Sequence, residues 1–283
     1  MESMGGLVMK LGYGTYAMQN LNIFDALPRL RKIGYEALEI STGDDWHTAP
    51  HKLDNASREK LVKTIQDLGF ESPVTMALLP ICTQGDERPG ILEKFDAACI
   101  LASDLNFSDG PGILVSTLGG LKGPWDEVNN TLCDLLIELA DRAAKFNVIL
   151  STEPHAGQLV DTPDKVDWLM KQTNHDFLKV NFDMSHFHVD NIDLQKSVDL
   201  CAPYTVSTHI KDGHRVDGKV RYLLPGEGTL DLVAYFKAVA DVGITVPITV
   251  EVTGQIWKLP DYDPWPVAEQ CFKALDDAKH EAD

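Results

Sequence analysis

A chain of 283 residues, 44% hydrophobic and 24% charged, has the make-up of a soluble globular protein able to bury a large core. Its net charge of -18 repels phosphate backbones and counts against nucleic-acid binding, which depends on Lys and Arg neutralising phosphates. No apolar run approaches the length that spans a bilayer, so no membrane partner is expected. The first six residues, Met-Glu-Ser-Met-Gly-Gly, lack the basic and apolar segments of a signal peptide. The five cysteines are scattered, with no Cys-x-x-Cys pair. This usage fits a reducing compartment, and a cytoplasmic protein is expected.

In chain order, short β-type runs alternate with longer amphipathic stretches. Strands are predicted at 9–13, 37–41, 73–77, 112–116, 148–153, 178–183, 205–210 and 248–252. Helices are predicted at 24–33, 57–68, 91–101, 127–146, 163–172, 194–200, 230–242 and 265–278. Asp161-Thr162-Pro163 is a helix-start signal, with a capping side chain and then Pro in the first turn. Gly34, Gly69 and Gly243 stand just past helix ends, where a left-handed residue is needed. Strand–helix alternation implies parallel βαβ units. No Gly-x-Gly-x-x-Gly opens a helix after an early strand, which disfavours a dinucleotide-binding open sheet. The expectation is a single (β/α)8 TIM barrel over 1–283, with long loops at 42–56 and 211–229.

In such a barrel the active site lies at the C-terminal ends of the strands. The last four strands end in Glu153, Asp183, His209 and Glu251, at gaps of 30, 26 and 42 residues (183−153, 209−183, 251−209). One β/α unit is roughly 30 residues, so the four fall in register, and the 211–229 loop explains the long last gap. Three converging carboxylates would repel one another, and a divalent cation relieves that repulsion. A set of oxygen ligands with one imidazole suits Mn²⁺ first, with Mg²⁺, Co²⁺ and Zn²⁺ as further metals. His155, His186, Lys211 and Arg215 stand near enough in sequence to contact substrate. Trp46 and His47, in the loop after the second strand, are placed to form a substrate wall.

These strand ends resemble the xylose isomerase-like barrel superfamily, especially sugar epimerases and isomerases of the D-tagatose/D-psicose 3-epimerase kind. The matching segments are Ser-Thr-Glu153-Pro-His, Asn-Phe-Asp183-Met-Ser-His186, Thr-His209-Ile-Lys-Asp, Pro225-Gly-Glu-Gly228 and Thr-Val-Glu251-Val. The resemblance implies that Glu153, Asp183, His209 and Glu251 bind the metal. It also implies that Glu153 and Glu251 exchange protons with the substrate, that His186 touches a substrate oxygen, and that Arg215 binds near the metal. Where ketose 3-epimerases usually carry Glu-Pro-x-Asn-Arg and a second Glu, this chain has Glu153-Pro-His155-Ala-Gly-Gln158. The His-Ile-Lys-Asp of the seventh strand is closer to inosose dehydratases.

The implied reaction is metal-dependent epimerisation or isomerisation of a ketose or keto-sugar through a metal-bound enediolate, with two glutamates as acid and base. A lyase acting on a keto-inositol or 3-keto-glycoside would use the same groups. A metal-dependent endonuclease would need more His ligands and a basic groove. A non-catalytic or partner-dependent barrel would be signalled by a lost ligand, and all four are present. Family resemblance also implies self-association as a homo-oligomer.

Overall fold

A computed structural model describes residues 9–283. The N-terminal segment read above for a signal peptide lies outside the described residues. Eight parallel strands form the central sheet: β1 (Leu11–Gly14), β2 (Ala37–Ser41), β3 (Val74–Met76), β4 (Gly112–Thr117), β5 (Val148–Glu153), β6 (Leu178–Asp183), β7 (Thr205–His209) and, after a two-stranded hairpin, β10 (Ile248–Val250). The ring closes on both sides of β10. It pairs with β1 from Leu11↔Ile248 to Tyr13↔Val250, and it meets β7 through a bridge between Ile210 and Val250. The described chain is a (β/α)8 barrel, as its strand–helix alternation implied.

The outer helices are α1 (Ile23–Ile33), α2 (Asn55–Asp67), α3 (Arg88–Leu105), α4 (Trp125–Ala144), α5 (Pro163–Thr173), α7 (Leu194–Cys201), α8 (Leu232–Asp241) and α10 (Pro264–Ala282). Two short helices, α6 (Met184–His188) and α9 (Gly254–Trp257), follow β6 and β10. Side-chain caps set several starts: Thr162 accepts from the Lys165 amide, and Asp54, Asp193 and Asp231 each accept from an amide three residues on. Gly34 ends α1 with φ +130, and a Cβ there would overlap the Phe272 ring, so the α1–α10 contact requires glycine. Leu27, Leu30, Leu136, Leu139, Val239 and Leu275 lie fully buried between helices and sheet. No helix among the described residues is long and apolar enough to cross a membrane. All five cysteines are free and buried.

The 211–229 loop is an antiparallel hairpin, β8 (Asp212–Val216) and β9 (Lys219–Leu223). Its two-residue turn is Asp217-Gly218, with φ 49 and φ 76, the left-handed pair that a type I′ turn demands. Asp212 anchors the base of the hairpin. Its carboxylate accepts from the amides of Gly213, Gly228, Thr229 and Leu230, which ties the Pro225–Gly228 turn to the end of β7. A Cβ on Gly228 would overlap that carboxylate.

Candidate metal centre at the strand C-termini

Side chains along a strand alternate between faces. Inward phase in β5 places Ser151 and Glu153 on the barrel axis, in β6 Asn181 and Asp183, and in β7 Ser207 and His209, with Lys211 two residues further on. Glu251 follows β10 directly and is fixed by its amide, which donates to the Ile210 carbonyl at 3.1 Å. Below the site, Ser151 and Ser207 are linked hydroxyl to hydroxyl at 2.8 Å, which sets β5 and β7 in relation across the interior.

Glu153, Asp183, His209 and Glu251 converge, with one ligand atom from each lying within 4.8 Å of the others. All four are buried, none more than 8% exposed. Asp183 is oriented by the start of α6, where its Oδ1 accepts from the Ser185 amide at 2.8 Å and from the Ser185 hydroxyl. His209 lies between two carboxylates: Nδ1 donates to Glu153 at 2.8 Å and Nε2 to Glu39 at 2.8 Å. Glu39 sits mid-strand in β2, is 2% exposed, and was not singled out from the sequence. Its signal was there: one carboxylate at the inward phase of the apolar run Ala-Leu-Glu-Ile-Ser.

Lys211 reaches the same point. Its ammonium donates to Asp183, to Glu251 at 2.5 Å and to His186 Nε2 at 3.2 Å, with the side chain 1% exposed. A buried ammonium is costly unless paired, and two carboxylates pair this one. His186 passes the network outward. Its Nδ1 lies 2.6 Å from the Tyr222 hydroxyl of β9, and its ring packs on His155 at 3.8 Å between centroids.

The electrostatics follow from burial and these partners. Burial alone would raise Glu153, but the His209 and Lys211 charges and the His209 hydrogen bond outweigh it and hold the carboxyl far below its ordinary range. Burial likewise opposes Asp183, and the Lys211 charge brings it down. For Lys211, burial pulls downward, yet Asp183, Glu251 and Glu153 drive it well above an ordinary lysine. Burial and the nearby Lys211 charge push His186 well down, which leaves a neutral ring that accepts from Lys211 and donates to Tyr222.

The other residues read from the sequence are placed differently. Trp46 stacks on Tyr16 with centroids 5.4 Å apart, at the rim of the barrel mouth. His47 is exposed and borders a small separate recess with Thr15 and Met18. Arg215 stands on the outer part of the hairpin, bonded to Asp190 at 2.5 Å and to the Gly218 carbonyl at 2.8 Å. The structure therefore does not bring Arg215 or His47 to the cluster. Tyr222, in a segment read as loop, does reach its edge.

The donor set fits a divalent cation: three buried carboxylates and one imidazole meet at the mouth of the barrel, and Glu39 stands behind the imidazole as a carboxylate commonly does behind a metal-binding histidine. Fold and site together define a (β/α)8 barrel with an acid–imidazole cluster on its last four strands. The chain belongs to the xylose isomerase-like TIM barrel family, whose model matches residues 27–274. It is 25% identical over 272 residues to the inosose isomerase of Bacillus velezensis (strain DSM 23117 / BGSC 10A6 / LMG 26770 / FZB42), covering 91% of this chain and 93% of that protein. Among solved structures it is similar to D-psicose 3-epimerase with D-tagatose from Clostridium cellulolyticum H10, at TM-score 0.78 and 15% identity over 97% of this chain and 100% of that one. It is equally similar in fold to the IOLI protein with a bound zinc atom, at TM-score 0.78 and 21% identity over 97% of this chain and 99% of that one.

Proposed function

We propose that this protein is a divalent-metal-dependent sugar epimerase or isomerase acting on a ketose or keto-sugar, with Glu153 and Glu251 as its acid–base pair. The observation that carries the reading is the convergence of Glu153, Asp183, His209 and Glu251 in one buried cluster at the barrel mouth. The family and the sugar-isomerising relatives support it. Glu153, Asp183, His209 and Glu251 would hold the ion, with Mn²⁺ the first metal to test. Bound there, a divalent ion supplies Lewis-acid polarisation of a carbonyl oxygen.

The chain's own groups do the proton work. A hydrogen on carbon beside a carbonyl is removed by a carboxylate within reach, the role assigned here to Glu153 or Glu251. Glu153 and Glu251 come from barrel strands β5 and β10, three positions apart in the ring, so they flank a substrate from two sides. One takes the proton and the other returns one to the opposite face, which inverts the carbon. Lys211 and His186 bond each other and their neighbours in this structure, and a bound substrate would draw their hydrogen-bonding groups to its oxygens, with His155 packed on His186.

Elimination from a keto-inositol or 3-keto-glycoside is the second reading. The Lys211-Asp212 pair favours it, since the His209-Ile-Lys-Asp segment resembles inosose dehydratases more than ketose 3-epimerases.

The test incubates metal-loaded protein in D₂O with ketoses, keto-inositols and 3-keto-glycosides, with and without EDTA, and follows carbon-bound deuterium by NMR. Metal-dependent uptake beside a carbonyl is expected, and the product separates epimerase, isomerase and lyase. Stoichiometric metal with no exchange on any of these substrates would overturn the two-glutamate reading.

A further inference from the structure

Beside the acid–imidazole cluster lies a groove of about 770 Å³, walled by the ends of β1, β2 and β3 and by α3. Its lining is largely apolar, with Met76, Ala77, Leu78, Leu79, Ile91 and Ala97, and also carries Asp44, His51, Glu93 and Lys94. Leu78 is 41% exposed there, a large aliphatic side chain left facing solvent. None of the four cluster residues lines the groove, yet its wall lies close to them. Ser41 borders the groove and lies two residues beyond Glu39 on the inner face of β2, about 7 Å along the strand. Glu39 itself touches His209 at 2.8 Å. Tyr16, which lines the groove, is raised by burial and then by the charges of Glu251 and Glu153, and so stands within their field.

Two features mark this groove as built for a ligand. The Ser41 hydroxyl is buried, with the residue 2% exposed, and has no hydrogen-bond partner, although the residue lines the groove. Buried polar groups are normally paired, so an orphan hydroxyl at a groove wall is left for something that arrives. The second feature is an aromatic corner. Tyr16 and Trp46 stack with planes 12° apart, and the Trp257 ring meets Tyr16 edge-on at 5.4 Å and Trp46 at 6.0 Å. Trp257 follows Glu251 by six residues, so this corner runs from the end of β10 to the groove rim.

We infer that the groove is a subsite for an apolar, aromatic substituent carried by the sugar, so that the substrate is an aryl glycoside of a keto-sugar. This rests on the reaction proposed above. A free monosaccharide is polar on nearly all sides and gains little from a wall of Met, Leu and Ile. A molecule that fills both spaces has a hydroxylated ring at the cluster and a flat apolar group in the groove. The glycosidic link then passes Ser41, which can donate to an ether or hydroxyl oxygen there. Aromatic faces at the junction suit either ring of such a molecule.

The experiment compares the 3-keto forms of p-nitrophenyl glucoside and methyl glucoside on the full-length, metal-loaded protein. Binding is read by tryptophan fluorescence, and turnover by deuterium uptake in D₂O, with D-fructose as a free ketose. The aryl compound is expected to bind at least ten-fold more tightly than the methyl one. Ala97→Phe, which fills the groove from α3 away from the cluster, is expected to reduce that ratio to within two-fold while leaving methyl-glucoside binding unchanged. Equal binding of the two glycosides, or an aryl preference that survives Ala97→Phe in a protein of unchanged melting temperature, would overturn the subsite. Deuterium uptake into fructose without aryl preference removes the subsite and leaves the reaction standing. Groove-dependent aryl binding without exchange on any substrate removes the reaction and leaves the groove as a binding site.

Discussion

The two halves of this barrel are built from the same β/α unit and end in different chemistry. The ends of β5, β6, β7 and β10 present Glu153, Asp183, His209 and Glu251, joined by Lys211, all buried and mutually paired. The ends of β1 to β3 present Tyr16, Ser41 and Met76 beside an open groove, with Glu39 alone facing the cluster. The helical shells do not differ in kind. What differs is the residue at the last inward position of each strand and the loop that follows it. One half concentrates charge where water is excluded, and the other supplies shape and apolar surface.

Substitutions that break this division should follow its logic. Glu153→Gln or Glu251→Gln removes one proton carrier, and deuterium exchange should fall by roughly 10²–10⁴-fold. Circular dichroism should show the barrel intact, and exchange near the wild-type rate would contradict the pairing of roles. Lys211→Met leaves Asp183 and Glu251 without their buried cation, which costs on the order of 3–5 kcal/mol in the metal-free protein. Thermal melts should show a large fall without metal and substantial recovery with saturating Mn²⁺. A Lys211→Met protein as stable as wild type without metal would mean that the ammonium does not neutralise this cluster.

Glu39→Gln tests the one carboxylate that the first half lends to the second. Losing a group behind a metal ligand typically weakens metal affinity by about 10–100-fold, measurable by calorimetry. The smallest effect belongs to Arg215→Ala. Its guanidinium is committed to Asp190 on the outside of the hairpin, so exchange rates should stay within about two-fold of wild type in a kinetic assay. A ten-fold loss would require the hairpin to fold over the site.

The legible part of the molecule was the part governed by local period and unit spacing. Strands β2, β5 and β6 fall where the apolar runs placed them, because a buried strand and its first polar residue both show in a few positions. Glu39 shows why that reading stops. Its partner His209 lies 170 residues away, so only closure of the ring gives the carboxylate a role. Arg215 shows the opposite: proximity to Lys211 in sequence suggested a shared site, but β8 leaves the barrel after Asp212 and carries the arginine outward. The hairpin itself was signalled by Asp217-Gly218, a turn pair hidden in a polar segment without an apolar run to flag its strands. Tyr222 had no signal of its own, since its contact with His186 depends on that hairpin folding back.

The most direct test of the metal centre is a calorimetric titration of the metal-stripped protein with Mn²⁺, Zn²⁺ and Mg²⁺, beside the same titration of Asp183→Asn. One ion per chain, bound by the wild type and lost or weakened at least a hundred-fold in the variant, is the result this account predicts. A folded wild-type protein that takes up no divalent ion, or that binds it equally well without the Asp183 carboxylate, would contradict it.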